Sequence, residues 1–153
     1  MTLFFTRMSW RRALSPAPLQ VLKAHESGKW SDALSGDATR VEKPWGYELH
    51  WAKTDRYVGK LIHVNAGHAL SLQFHKVKDE TIYLNSGRLL FEIQEGEKLV
   101  KRDMHPGEHV HITPRTIHRM TAVEDSDIFE VSTPELDDVV RLEDRYGRDV
   151  EKK

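Results

Sequence analysis

From about Thr39 onward the chain breaks into short runs in which polar and apolar residues alternate or apolar residues cluster. Each run stops at Gly, Pro, Asn or Asp. The runs are GYELHWAKT, RYVGKLIHVNAG, HALSLQFHK, TIYLNSG, RLLFEIQEG, EKLVKRDMHPG, EHVHITP, IHRMTAVED and DIFEVST. Strand-sized pieces at hairpin spacing, with almost no 3.6-residue periodicity, predict an all-β sandwich or barrel. The turns NSG, EGE and HPGE place Gly where a positive φ is wanted. Residues 1–38 lack this texture and are expected to form an extension, partly disordered or helical. Within it a short helix follows Pro18 and ends near Gly28, and Trp10 and Trp30 lie against the body of the protein or a partner chain. The barrel domain is expected over 39–148. The segment after Pro134 reads as a short packed piece, with a frayed tail over 149–153.

Composition narrows the chemistry. The 153 residues suffice for one domain with a real core. A net charge of −1 provides no basic field for nucleic acid. Cysteine is absent, which excludes disulfides, thiolate metal sites and a cysteine nucleophile. Any metal must therefore bind imidazole, carboxylate or amide groups. No apolar run reaches the roughly 18 residues of a membrane span, so the chain reads as soluble and cytoplasmic. Its first 25 residues hold Arg7, Arg11, Arg12 and Lys23 and no acid. That is faintly like a transit peptide, and the plainer reading is a disordered leader.

The informative stretch is LSLQFHKVKDETIYLNSG, Leu70 to Gly87. Residues i and i+2 of a strand share a face, so Gln73 and His75 point together while Leu72 and Phe74 point away. Burying Gln and His inside a barrel is costly unless they are hydrogen-bonded or ligate something. The KVKD turn allows Glu80 to open the next strand and return to the same interior. A fourth donor is expected from HITPRTIHRM, where Pro114 ends one strand and His118 opens the next. Such an N and O donor set suits Zn, Mn, Fe, Co or Ni.

Gly67–Gly87 resembles the first cupin motif, and Pro106–His118 the second. EKPWGYE (Glu42–Glu48), the LSLQ and His75 pair, His118-Arg119 and DDVVRLEDRYGR (Asp137–Arg148) are similar to the cupin domain of type II phosphomannose isomerases (mannose-6-phosphate isomerases). The resemblance covers roughly residues 41–148. It implies a single cupin jelly-roll barrel and a metal, zinc, held by Gln73, His75, Glu80 and His118. It also implies an aldose–ketose isomerase acting on a sugar or sugar phosphate. The sequence departs from the family pattern at Val77, Thr81 and Ile82, where His, His and Trp are usual, and its second motif is one residue shorter.

Isomerisation moves a proton between adjacent carbons, so it needs charge stabilisation and a base. The resemblance implies Arg119 for catalysis, with Lys60 a further candidate, and Lys43, Glu48, Tyr83 and His111 are expected to line the substrate site. His111 is expected to project inward, and Trp45 to be a core or interface anchor. Two other functions compete: a non-catalytic carbohydrate-binding cupin, and an oxygenase using His75, Glu80 and His118 around Fe(II). Leu72, Phe74 and the leader tryptophans suggest a homodimer.

Overall fold

Eleven strands and no helix make up residues 36–151, the part described by the structure, a computed structural model. The helix expected between Pro18 and Gly28, with Trp10 and Trp30, lies outside these residues. The strands are β1 (Thr39–Lys43), β2 (Gly46–Lys53), β3 (Val58–Val64), β4 (Leu72–Phe74), β5 (Glu80–Ser86), β6 (Leu89–Glu95), β7 (Lys98–Met104), β8 (His109–Ile112), β9 (His118–Ala122), β10 (Ser126–Ser132) and β11 (Val140–Glu143). No described residue belongs to a helix long and apolar enough to cross a membrane.

The strands pair antiparallel in two sheets. One sheet runs β1-β2-β3-β10-β5-β8, the other β11-β4-β9-β6-β7. Strict alternation decides what fills the space between them. In β10, Ser126, Ile128, Glu130 and Ser132 are buried and Phe129 and Val131 are exposed. In β5, Glu80, Ile82 and Leu84 are buried and Tyr83 is exposed. Ile62, Ile82, Leu84, Leu89, Phe91, Met104, Ile112, Met120 and Ile128 form the core, with Trp45 packed among them. Fully burying each large apolar side chain is worth about 1.5–3 kcal/mol.

All three turn glycines take positive φ: Gly87 at 85°, Gly96 at 61° and Gly107 at 96°. At Gly87 a side chain would also collide, since a Cβ would sit 2.3 Å from the Asp125 carbonyl oxygen. The shortened second motif carries a different solution. Arg115 turns the β8–β9 connection with φ of 68°, and its backbone N–H donates to the His75 carbonyl at 2.6 Å. Of the apolar pair on β4, Leu72 is buried by the chain itself while Phe74 stays partly exposed.

Candidate metal centre and cavity

His75 follows β4, Glu80 opens β5 and His118 opens β9, so three strand ends deliver three donors to one point. Their ligand atoms lie within 4.8 Å of one another, and all three residues are buried. His75 Nε2 stands 3.4 Å from Glu80 Oε1, and His118 Nε2 stands 3.2 Å from the same oxygen. The other ring nitrogens are committed. His75 Nδ1 donates to the Asp138 carbonyl at 2.5 Å, and His118 Nδ1 donates to the Thr116 carbonyl at 2.9 Å. A carbonyl only accepts, so Nδ1 carries the hydrogen and Nε2 of a neutral ring presents a lone pair. Neither Nε2 has a hydrogen-bond partner among the described residues. Two lone pairs and a carboxylate oxygen facing one another repel unless a positive charge lies among them. A divalent cation meets that requirement, and histidines oriented through Nδ1 are the usual arrangement around one.

Asp138 does more than orient His75. Its carboxylate accepts the N–H groups of Lys76 (3.1 Å), Val77 (2.7 Å) and Lys78 (2.8 Å). Burial alone would raise the Asp138 carboxyl, but these three donors hold it below its ordinary value. Gln73 lies directly opposite His118 in the β4–β9 register, on the same face, and its Oε1 accepts from Ser71 at 2.7 Å. Burial also pushes Glu80 up. With Nε2 protonated, the imidazoles of His118 and His75, together with the Lys78 ammonium, overcome this and hold it well below the carboxylate range.

His75 and Glu80 of the triad line a cavity of about 390 Å³. A chain of alternating charge crosses its wall. Lys78 contacts both Glu80 and Glu130, and Lys60 lies 3.5 Å from Glu130 and 3.7 Å from Glu48. His50 Nε2 meets Glu48 at 2.7 Å and Lys43 reaches it at 3.5 Å. Against the cost of burial, Lys60, His50 and Lys43 keep the Glu48 carboxyl below its usual value. Likewise Glu130 and Glu80 outweigh burial and raise Lys78. Arg141 and Arg148 also line it, and the buried Nε of Arg141 has no partner among the described residues.

The structure therefore brings His75, Glu80, Gln73, Lys43, Glu48 and Lys60 to one cavity, with His118 reaching Glu80 at 3.2 Å without lining the cavity itself. It does not bring Arg119, Tyr83 or His111 there. Arg119 follows the inward-facing His118, so alternation sends it to the outer face, where it donates to Glu92 at 2.5 Å and Glu143 at 2.9 Å. Tyr83 lies between the buried Ile82 and Leu84 and faces out. His111 lies between Val110 and Ile112, also faces out, and meets Asp79 at 2.9 Å. The three family departures spare the cavity as well. Val77 is an exposed loop residue, Thr81 is on the outward phase of β5, and Ile82 is core.

Sequence reasoning missed His50, Lys78, Glu130, Arg141 and Arg148. A signal existed for two of them: Glu130 is in phase with Ile128, and His50 with Glu48, each a polar group on a buried face. Arg141 and Arg148 bracket the RLEDRYGR stretch already singled out. Lys78, inside the KVKD loop, gave none.

A family profile described as mannose-6-phosphate isomerase, C-terminal, matches residues 32–144. The chain belongs to this family. Among solved structures, KdgF from Halomonas sp. superposes on this family member with a TM-score of 0.57 at 24% identity, covering 65% of this chain and 91% of KdgF. The capsular polysaccharide assembling protein CapF from Staphylococcus aureus superposes with a TM-score of 0.60 at 19% identity, over 77% of this chain and 38% of CapF. Oxalate decarboxylase from Bacillus subtilis gives 0.60 at 15% identity, over 69% of this chain and 30% of that enzyme. At these identities the likeness speaks for the fold, a cupin barrel. This chain superposes on only about a third of the length of the last two proteins. No curated protein sequence matches significantly.

Proposed function

We propose that this cupin is a metal-dependent aldose–ketose isomerase acting on a phosphorylated sugar. The observation that carries the reading is the pair of unpartnered, buried Nε2 atoms converging with Glu80 beside a charged cavity, in a chain of this family. His75, Glu80 and His118, with Gln73 on the same face, would hold the ion, and zinc suits this donor set. Such an ion polarises a carbonyl and stabilises developing oxyanion charge.

The chain's own residues divide the remaining work. Arg141, with Arg148 and Lys43, provides positive charge for an anionic end. Lys60 provides an ammonium in the wall, next to Glu130 and Glu48, where charge develops. His50, oriented by Glu48, moves the proton between adjacent carbons. The partners are a small anionic sugar and a second copy of the chain.

The test is isomerisation of mannose 6-phosphate by the metal-loaded protein. Arg141→Ala should raise KM for the phosphorylated sugar about 10- to 100-fold, the worth of a charged hydrogen bond. Turnover of the unphosphorylated sugar should be unaffected. No turnover with any loaded ion would end the proposal. One observation favours a second reading: the two-His, one-carboxylate set is also that of Fe(II) oxygenases. Oxygen uptake by the iron-loaded protein, with no isomerisation, would select it.

A further inference from the structure

Glu80 has two carboxylate oxygens, and the structure spends them differently. Oε1 faces both histidines, while Oε2 accepts from the Lys78 ammonium. Lys78 is held from every side. Its side chain is 4% exposed, its Nζ also donates to Glu130 Oε1 at 2.7 Å, and its backbone N–H is fixed by Asp138. Glu130 in turn is flanked by Lys60. A surface lysine would exchange its partner with water, but this ammonium is too buried to do so. A carboxylate free at both oxygens can bind an ion through one or both. One whose second oxygen already accepts a fixed charged donor has a single oxygen left.

We propose that Lys78 is a positioning residue that reserves Glu80 Oε2, so that Glu80 meets a bound ion through Oε1 alone. The consequence is a lower coordination number, leaving room for substrate oxygens at the ion. The inference rests on the metal-site reading above and adds a role for a residue that does not itself ligate the ion.

Cobalt(II) is the probe, because its visible absorption is intense when four-coordinate and several-fold weaker when five-coordinate. The expected result is an intense spectrum for the wild type, and a several-fold weaker one for Lys78→Met as Oε2 joins the ion. Lys78→Arg, which keeps a donor for Oε2, should restore the wild-type intensity. Lys78→Met leaves Glu130 short of a partner, so the double variant Lys78→Met/Glu130→Gln serves where the single variant does not fold. It should show the same weakening. Wild-type spectra in both methionine variants would overturn the proposal while leaving the metal site standing. Absence of any cobalt spectrum in the wild type would overturn both.

Discussion

A single peptide bond separates His118 from Arg119, and it puts an imidazole on the inner face of β9 and a guanidinium on the outer one. Here the reading by residue succeeded and failed for the same reason. Gln73 and His75 were legible because i and i+2 share a face. Arg119 came from the family resemblance, and the alternation of β9 places it on the face opposite His118. Replacing His118 by Ala should weaken metal binding at least about 100-fold, beyond the 10- to 100-fold cost of losing a mere supporting contact. Mass-spectrometric metal content of both proteins checks this. Arg119→Ala should leave that content unchanged. Arg115 offers a separate test. Its φ of 68° is strained for a residue with a Cβ. Arg115→Gly should stabilise the fold by about 0.5–1 kcal/mol in denaturant unfolding, the relieved strain exceeding the added flexibility of the unfolded chain.

At the scale of elements, the nine alternating runs correspond to β2 through β10, and β1 and β11 were not singled out as strands. Both are edge strands. They are short, five and four residues, and none of their residues is buried, so no apolar stripe marks them; β7 and β8, also at sheet edges, are marked by the buried Met104, Val110 and Ile112. The stretch around β11 proves to serve two purposes. Arg141 and Arg148 line the cavity, while Asp144 accepts the N–H groups of Tyr146 and Arg148 at 2.9 Å each and the Arg148 guanidinium. Burial would raise the Asp144 carboxyl, but Arg148 and the two N–H groups hold it below its ordinary value. A carboxyl depressed on folding stabilises the protein above its unfolded pKa, about 3.9, and that stability fades as pH falls through the folded value. Asp144→Asn should therefore lower Tm at neutral pH, and the gap to wild type should close below pH 4.

For the whole molecule, the pattern foretold a barrel but not that charge would line part of it. A polar residue in phase with apolar neighbours looks the same in one strand as a local exception. Only the lateral register, which sets His50, Lys60 and Glu130 side by side across three strands, turns exceptions into a row. Register depends on partners distant in sequence. The outer face of the same sheet supports pairing. Tyr83 lies beside Phe129, and Phe129 beside Leu61, with Trp51 and Val131 exposed nearby. An apolar band of this kind on an antiparallel sheet is the face through which a dimer would form. Light scattering should give a dimer, and Phe129→Glu a monomer; a monomeric wild type would end the idea.

The Asp138 clasp also has a kinetic consequence. Its bond to His75 spans 63 positions, and its carboxylate holds backbone 60 to 62 positions away. Contacts this remote close late, on the millisecond-to-second scale of β topologies. A chain emerging from the ribosome thus displays His75, Glu80 and His118 before the residue that aims His75 exists. Capture of an ion in the finished geometry would wait until Asp138 has been made and has closed on His75.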